Sequence, residues 1–330
     1  MSSLPCWTRC GVLFSAAVSM THAAPEQQPP PKASGHAAIL QHMPVELLHY
    51  SSVYPEVADP SAPFQLGTMM KLAVAAAHGD REIADECWFI VDSTFAKQTK
   101  AGDFGGDPMS AAVWLGEFTR SVLVIQQSPL AAHFKDRIEA LKPALAKAMH
   151  WMNKQRSRLL FEDRAIPDRL LSEAQAYLFC GRLLDDPALI KYGHGFLDTA
   201  MKTFRASDGA FLEKNGTGSG YEAASLVRLQ EIMLNVPDIH LEEPFAKGIQ
   251  WELTHIRADG TVLADGKPGF FSHSKMIMGP EKQVNVGEIS LALLYYHERA
   301  NDAASLAAIE RLQKHYATIA AATPTSPPSK

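Results

Sequence analysis

The chain has 330 residues, 46% of them hydrophobic, with 31 Lys and Arg against 36 Asp and Glu for a formal charge of −5. That length allows one large core or two small ones. The mildly acidic balance argues against a general nucleic-acid binder and leaves any acidic ligand to be held by a local basic patch.

Residues 1–23 read as a secretory signal peptide. Arg9 supplies the charged start, residues 11–20 are apolar, and Thr21-His22-Ala23 sets cleavage after Ala23. The apolar run is too short for a stable membrane span, so export to the periplasm or beyond is expected. Cys6 and Cys10 leave with the signal; Cys87 and Cys180 remain on apolar helical stripes, where a cysteine is usually a small buried hydrophobe. Residues 24–43 read as a Pro- and Gln-rich linker, 44–320 as the folded domain, and 321–330 (AATPTSPPSK) as a polar tail.

The domain is expected to be all-α. Apolar residues at three- and four-residue steps predict helices over 63–97 with a break at Gly79-Asp80, over 108–127, and over 129–152, where Pro143 should kink or break the helix. Residues 155–167 read as irregular and charged. Helices then follow over 168–184, from Asp186-Pro187 to Phe204 with an N-cap and a proline at the first position, and over 221–234, 241–256, 286–299 and 305–321. No convincing strand ladder is visible. The stretch RASDGAFLE (205–213) is echoed by RADGTVLAD (257–265), and charged loops at 102–108 and 155–167 fall on the same beat of roughly 50 residues. That period fits helical hairpins with one long loop each, stacked into an arc or closed into a toroid with the long loops on one face.

Residues 205–230 carry most of the chemistry. Asp208-Gly209 marks a turn, Glu213, Lys214 and Asn215 set an acid, a base and an amide side by side, and three glycines precede Tyr221. Ser219 suits an N-cap, and Glu222 would add negative charge to the first helical turn. This loop resembles that of the (α/α) toroid polysaccharide lyases of the hyaluronate and chondroitin AC type, which carry D-G-S-F-x-Q-H followed by a Gly- and Tyr-rich run into a helix. Here Asp208-Gly209-Ala210-Phe211-Leu212-Glu213-Lys214 and then Gly216 to Tyr221 resemble that form, with a shorter spacer before the tyrosine. The likeness covers residues 66–300 in architecture and this one loop in motif. It implies an all-α fold of helical-hairpin repeats forming a complete or incomplete (α/α) toroid, and cleavage of an acidic polysaccharide by β-elimination. Tyr221 matches the catalytic tyrosine, while Lys214 stands where the family has its catalytic histidine.

Elimination beside a uronate carboxylate requires a group that neutralises the carboxylate, a base for the C5 proton, and an acid for the leaving oxygen. A free tyrosine titrates near about 10 and needs a cation to ionise at neutral pH; Lys214 is the nearest and Arg205 the next. Asn215 or Asn153 would bond the carboxylate, and Arg158 belongs to the same earlier loop as Asn153. A second candidate run, 269–275 (GFFSHSK), offers Phe271 as a stacking face, His273 as a replacement for the missing histidine, and Lys275 as a cation. The rival on the same scaffold is a glycoside hydrolase, with Glu213 paired to Asp103, Asp107, Asp163 or Asp265 across the bond. A third reading is a non-catalytic helical-repeat protein that binds glycans or a protein. The sequence carries no HExxH, paired-cysteine, EF-hand or phosphate-loop motif, so neither metal nor cofactor is expected.

Overall fold

Aspartates and prolines set many of the helix starts. Asp80 accepts a hydrogen bond from the Ile83 amide and opens α3 (Arg81–Ala96), directly after α2 (Leu66–His78). Asp107 accepts from Met109 and Ser110 ahead of Pro108 in α4 (Pro108–Gln126), and Asp186 from Ala188 and Leu189 ahead of Pro187 in α7 (Pro187–Met201). Between them lie α5 (Ala131–Glu162) and α6 (Pro167–Leu183). The chain continues through α8 (Ser219–Asn235), α9 (Glu242–His255), α10 (Val286–Ala300) and α11 (Ala303–Ala322). The structure is a computed structural model that describes residues 35–43, 66–105, 107–212, 217–263 and 286–322. Its described residues are overwhelmingly helical, so the all-α expectation holds.

Consecutive helices pair as hairpins, α2 with α3, α4 with α5, α6 with α7, α8 with α9 and α10 with α11. The first helix of each pair packs on the first helix of the next, in the order α2, α4, α6, α8, α10. Burial separates the two sets. Helices α4, α6 and α8 are covered on nearly every side, whereas α3, α5, α7 and α9 bury one stripe. Close approach needs small residues: a Cβ on Gly193 of α7 would stand 2.6 Å from Leu178 of α6. Trp88, Phe95, Phe104, Trp114, Phe118 and Phe134 form one aromatic cluster, with ring centroids 4.9 to 6.1 Å apart, and knit the first two hairpins together. Cys87 and Cys180 are buried and free.

The links are unequal. The even-numbered helices leave by short turns at 79–80, 127–130, 184–186 and 301–302, while longer connections at 97–107, 202–218 and 256–285 lead into α4, α8 and α10. Each hairpin reverses the chain, so the even-numbered helices run the same way and gather the longer loops at their N-terminal ends.

The two echoed loops share one geometry. After α7, β1 (Phe204–Arg205) pairs antiparallel with β2 (Ala210–Phe211); after α9, Ile256 and Val262 form an isolated antiparallel bridge. The glycine of each D-G pair is left-handed, at φ 75° for Gly209 and 88° for Gly260, and donates back to Arg205 or Arg257. A Cβ at Gly209 would stand 2.7 Å from the Lys247 carbonyl of α9, and one at Gly260 would collide with the Arg311 carbonyl of α11. Each turn therefore beds on the second helix of the following hairpin, and Gly102 does the same on Lys147 of α5.

Three expectations are corrected. Helix α5 runs unbroken through Pro143 to Glu162, so 155–162 is not irregular, and Asn153 and Arg158 lie on a helix rather than a loop. A 32-residue helix pinned by Phe134, Ile138, Leu145, Met149, Met152 and Leu159 outweighs the loss at one proline, and the Arg158–Glu162 pair at 2.9 Å continues it. The linker also ends earlier than read: His36–Gln41 is a helix, α1, with Ile39 and Leu40 in the core. Finally, the short β1–β2 ladder exists where no strand was expected, because a hairpin two residues long leaves no periodic signal.

Candidate active site

The first turn of α8 is built differently from the N-cap expectation. Gly218 holds the cap position, and the Ser219 hydroxyl donates instead to Glu252 of α9. Glu222 does not face solvent. It is buried, and its Oε2 accepts the Phe211 amide at 2.8 Å, which fastens the hairpin to α8. Tyr221 is half-buried in this same turn. Arg205, the second cation proposed for it, is paired with Asp208 at 2.8 Å. Glu213, Lys214 and Asn215 lie outside the described residues, as do Asp265, Phe271, His273 and Lys275.

The remaining described candidates lie on α5 or in the turns before α4 and α6. Asn153 is exposed on α5. Arg158 borders a cleft with Asp107, Asp163 and Arg169 between α4, α5 and α6. Asp107 caps α4, and those hydrogen bonds hold its carboxyl below the usual range against the opposing effect of burial. Asp103 accepts from Thr99 and Gly105 within its own turn. Asp163 is buried and paired with Arg169 at 3.0 Å.

A charged group that the sequence reading did not single out lies inside the even-numbered helices. Arg120 of α4 is fully buried; it bonds Glu117 one turn earlier and sits 3.4 Å from Glu231 of α8. Glu231 also accepts from Gln175 of α6 at 2.6 Å and from Tyr295 of α10 at 3.2 Å. His36 of α1 bonds the Tyr295 hydroxyl at 2.7 Å and meets the Asn235 amide at 2.9 Å on its other ring nitrogen. One assignment satisfies the whole chain. Asn235 donates to Nδ1 of a neutral His36, whose Nε2–H donates to Tyr295, which donates to Glu231, a carboxyl that burial pushes up to about 7 against the pull of Arg120. Burial, then the Arg120 charge, holds the His36 pKa well below its ordinary value. Burial opposes the charge on Arg120, but Glu117 and Glu231 outweigh it and raise its pKa further.

Nearer the helix starts, Arg228 of α8 stands 3.8 Å from Glu288 of α10. Burial pushes Glu288 up to about 7; Arg228 pulls it down, while Glu117, Asp168 and Glu231 repel a second negative charge. Burial raises Asp168 as well, against Arg228 and Arg169. Glu173 is pushed up to about 10, by burial and then by Asp163, so it is neutral at pH 7. Glu173 has no exposed surface, whereas the Glu117, Arg228 and Glu288 side chains keep 13%, 11% and 12% of theirs. These last three set two carboxyls and a guanidinium at the margin of the helical interior. The sequence held a signal for them, namely charges placed where an all-round apolar helix should have none: E-x-x-R at 117–120, R-x-x-E at 228–231, and Glu288 ahead of ISLALLYY.

Among the described residues no group of three or more His, Cys, Asp or Glu is placed to hold a metal ion, and no helix is long and apolar enough to cross a membrane. Compared with family models, curated proteins and solved structures, the chain gives no match.

Proposed function

We propose that the chain is an exported glycan-cleaving enzyme built as a complete or incomplete (α/α) toroid, and that the bond is broken by hydrolysis. The observation that carries this reading is the set of partly exposed carboxyls around Arg228. Glycoside hydrolysis needs one carboxyl that is protonated at working pH and a second that is ionised. Glu288, pushed up to about 7, suits the acid that protonates the leaving oxygen. Glu117, bonded to Arg120, suits the carboxylate that attacks or activates water. Arg228 stands beside Glu288 to orient it and to donate a hydrogen bond to a sugar hydroxyl oxygen.

Elimination is the second reading, favoured by Tyr221 in the first turn of α8 at the same end of the molecule. It keeps the expectation of a uronate polymer, with Lys214 or His273 as the cation or base. The two chemistries separate in one assay, in which mature protein is given neutral and uronate polysaccharides while absorbance and reducing ends are followed together. Hydrolysis raises reducing ends alone; elimination adds the absorbance of a conjugated double bond. Glu288→Gln is expected to lower hydrolysis by about 10²- to 10⁴-fold with the fold intact, and Tyr221→Phe to leave it within a few-fold. Loss of activity in Tyr221→Phe with Glu288→Gln unaffected would establish elimination instead. Glycan binding with no cleavage would leave a non-catalytic helical-repeat protein.

A further inference from the structure

The cleft between α4, α5 and α6 holds about 320 Å³ and is walled by Asp107, Met109, Arg158, Glu162, Asp163 and Arg169. That volume lies at the lower end of small-ligand sites, which span about 300–1,000 Å³. Its charges are already matched. Arg158 is paired with Glu162 at 2.9 Å and Arg169 with Asp163 at 3.0 Å, while Asp107 is occupied by the α4 amides. Three carboxylates against two guanidinium groups give the wall no positive surplus, so an anionic sugar gains nothing there. What the paired groups still offer is many oriented donors and acceptors, which suit the hydroxyls of an uncharged ring. The last turn of α5, which supplies Arg158 and Glu162, also carries Phe161. Its side chain is 67% exposed, among the most exposed large hydrophobic residues described, and the Arg164 guanidinium lies over the ring at 4.4 Å and bonds the Phe161 carbonyl. An exposed aromatic ring held by an arginine can stack on the apolar face of a pyranose.

We infer that this cleft, together with the exposed ring of Phe161 three residues along α5 from the cleft-lining Arg158, is a binding subsite for an uncharged pyranose unit of the glycan. The inference rests on the glycan reading above and narrows it, since the reading at its broadest includes uronate polymers.

The test is calorimetric titration of the mature protein with cellohexaose, xylohexaose and maltohexaose as neutral probes and hexamers of galacturonate and mannuronate as acidic ones. At least one neutral hexamer is expected to bind in preference to both acidic ones. Phe161→Ala is expected to weaken it by about tenfold or more and Phe161→Trp to preserve it, with thermal midpoints unchanged because the side chain is exposed. Preference for an acidic hexamer, absence of binding by every neutral hexamer at millimolar concentration, or unchanged affinity in Phe161→Ala each overturns the subsite. Cleavage is scored separately. Phe161-dependent binding without cleavage supports the subsite and sinks the enzyme reading. Cleavage with a KM untouched by Phe161→Ala supports the enzyme and sinks the subsite.

Discussion

Glu252 has no exposed surface, takes one hydrogen bond from Ser219, and is pushed by burial up to about 8. In the unfolded chain the same carboxyl titrates near 4.5. Between those values the folded form holds a proton that the unfolded form has lost. The stabilisation is full below pH 4.5, declines as pH rises, and is gone above about pH 8. One pH unit between the two titrations is worth about 1.4 kcal/mol, so the swing at this residue is on the order of a few kcal/mol. Glu252→Gln keeps the shape and the acceptor for Ser219 without the charge. Its urea-unfolding free energy, measured at pH 5 and pH 9, is expected to fall less across that interval than the wild type's. Arg120 makes the complementary case. Arg120→Met takes the cation from the buried Glu231 and the half-buried Glu117 and is expected to cost about 3–5 kcal/mol. Adding Glu231→Gln should recover part of that loss, and a double-mutant cycle by chemical denaturation measures the coupling.

At the scale of elements, the D-G hairpins explain why these loops repeat in sequence. Each turn must place a left-handed residue against the backbone of a helix one hairpin further on, and only glycine meets both demands. Gly209→Ala brings a Cβ against the Lys247 carbonyl at a φ of 75° and is expected to lower stability by about 1–3 kcal/mol. Gly195 of α7 is the control: it is exposed, helical and meets nothing within 4 Å. Gly195→Ala should raise stability by up to about 1 kcal/mol. Thermal melts of the two variants side by side check both signs. The same elements show what could be read beforehand. Apolar steps located most helices within a few residues, and Asp80, Asp107 and Asp186 marked their starts, because periodicity and capping are local. The continuation of α5 was hidden, since residues 155–162 carry charge and only Leu159, with Leu160 partly, reaches the core. The Glu117, Arg120, Glu231 and Glu288 group was hidden for a longer-range reason. A sequence does not reveal that charges on α4, α8 and α10 share one interior: Arg120 meets Glu231, 111 positions away, and Glu231 meets Tyr295, 64 positions away, only once the helices have packed.

At the scale of the molecule, helical hairpins that touch only their neighbours would unfold piecemeal, each stabilised by local contacts alone. This chain has ties of a different kind. α1 packs on α2, α4 and α8, and its His36 bonds Tyr295 of α10, 259 residues away. His42, directly after α1, bonds Glu298 at 2.8 Å. A six-residue helix thus joins the first hairpin to the last, and it buries Ala37, Ile39, Leu40 and Met43 in doing so. Burying the three larger side chains contributes about 1.5–3 kcal/mol each, and their loss exposes the faces of α2, α4 and α8 they cover. A chain begun at Ser34 is expected to melt in one transition, with near- and far-ultraviolet circular dichroism coinciding. A chain begun at Pro44 lacks α1 and should melt at least 10 °C lower, at about 2–4 °C per kcal/mol for a domain of this size. Its two signals should separate, because the hairpins at either end are then coupled only through their neighbours. Coincident transitions in the shorter chain would mean that the stacked even-numbered helices are cooperative without α1.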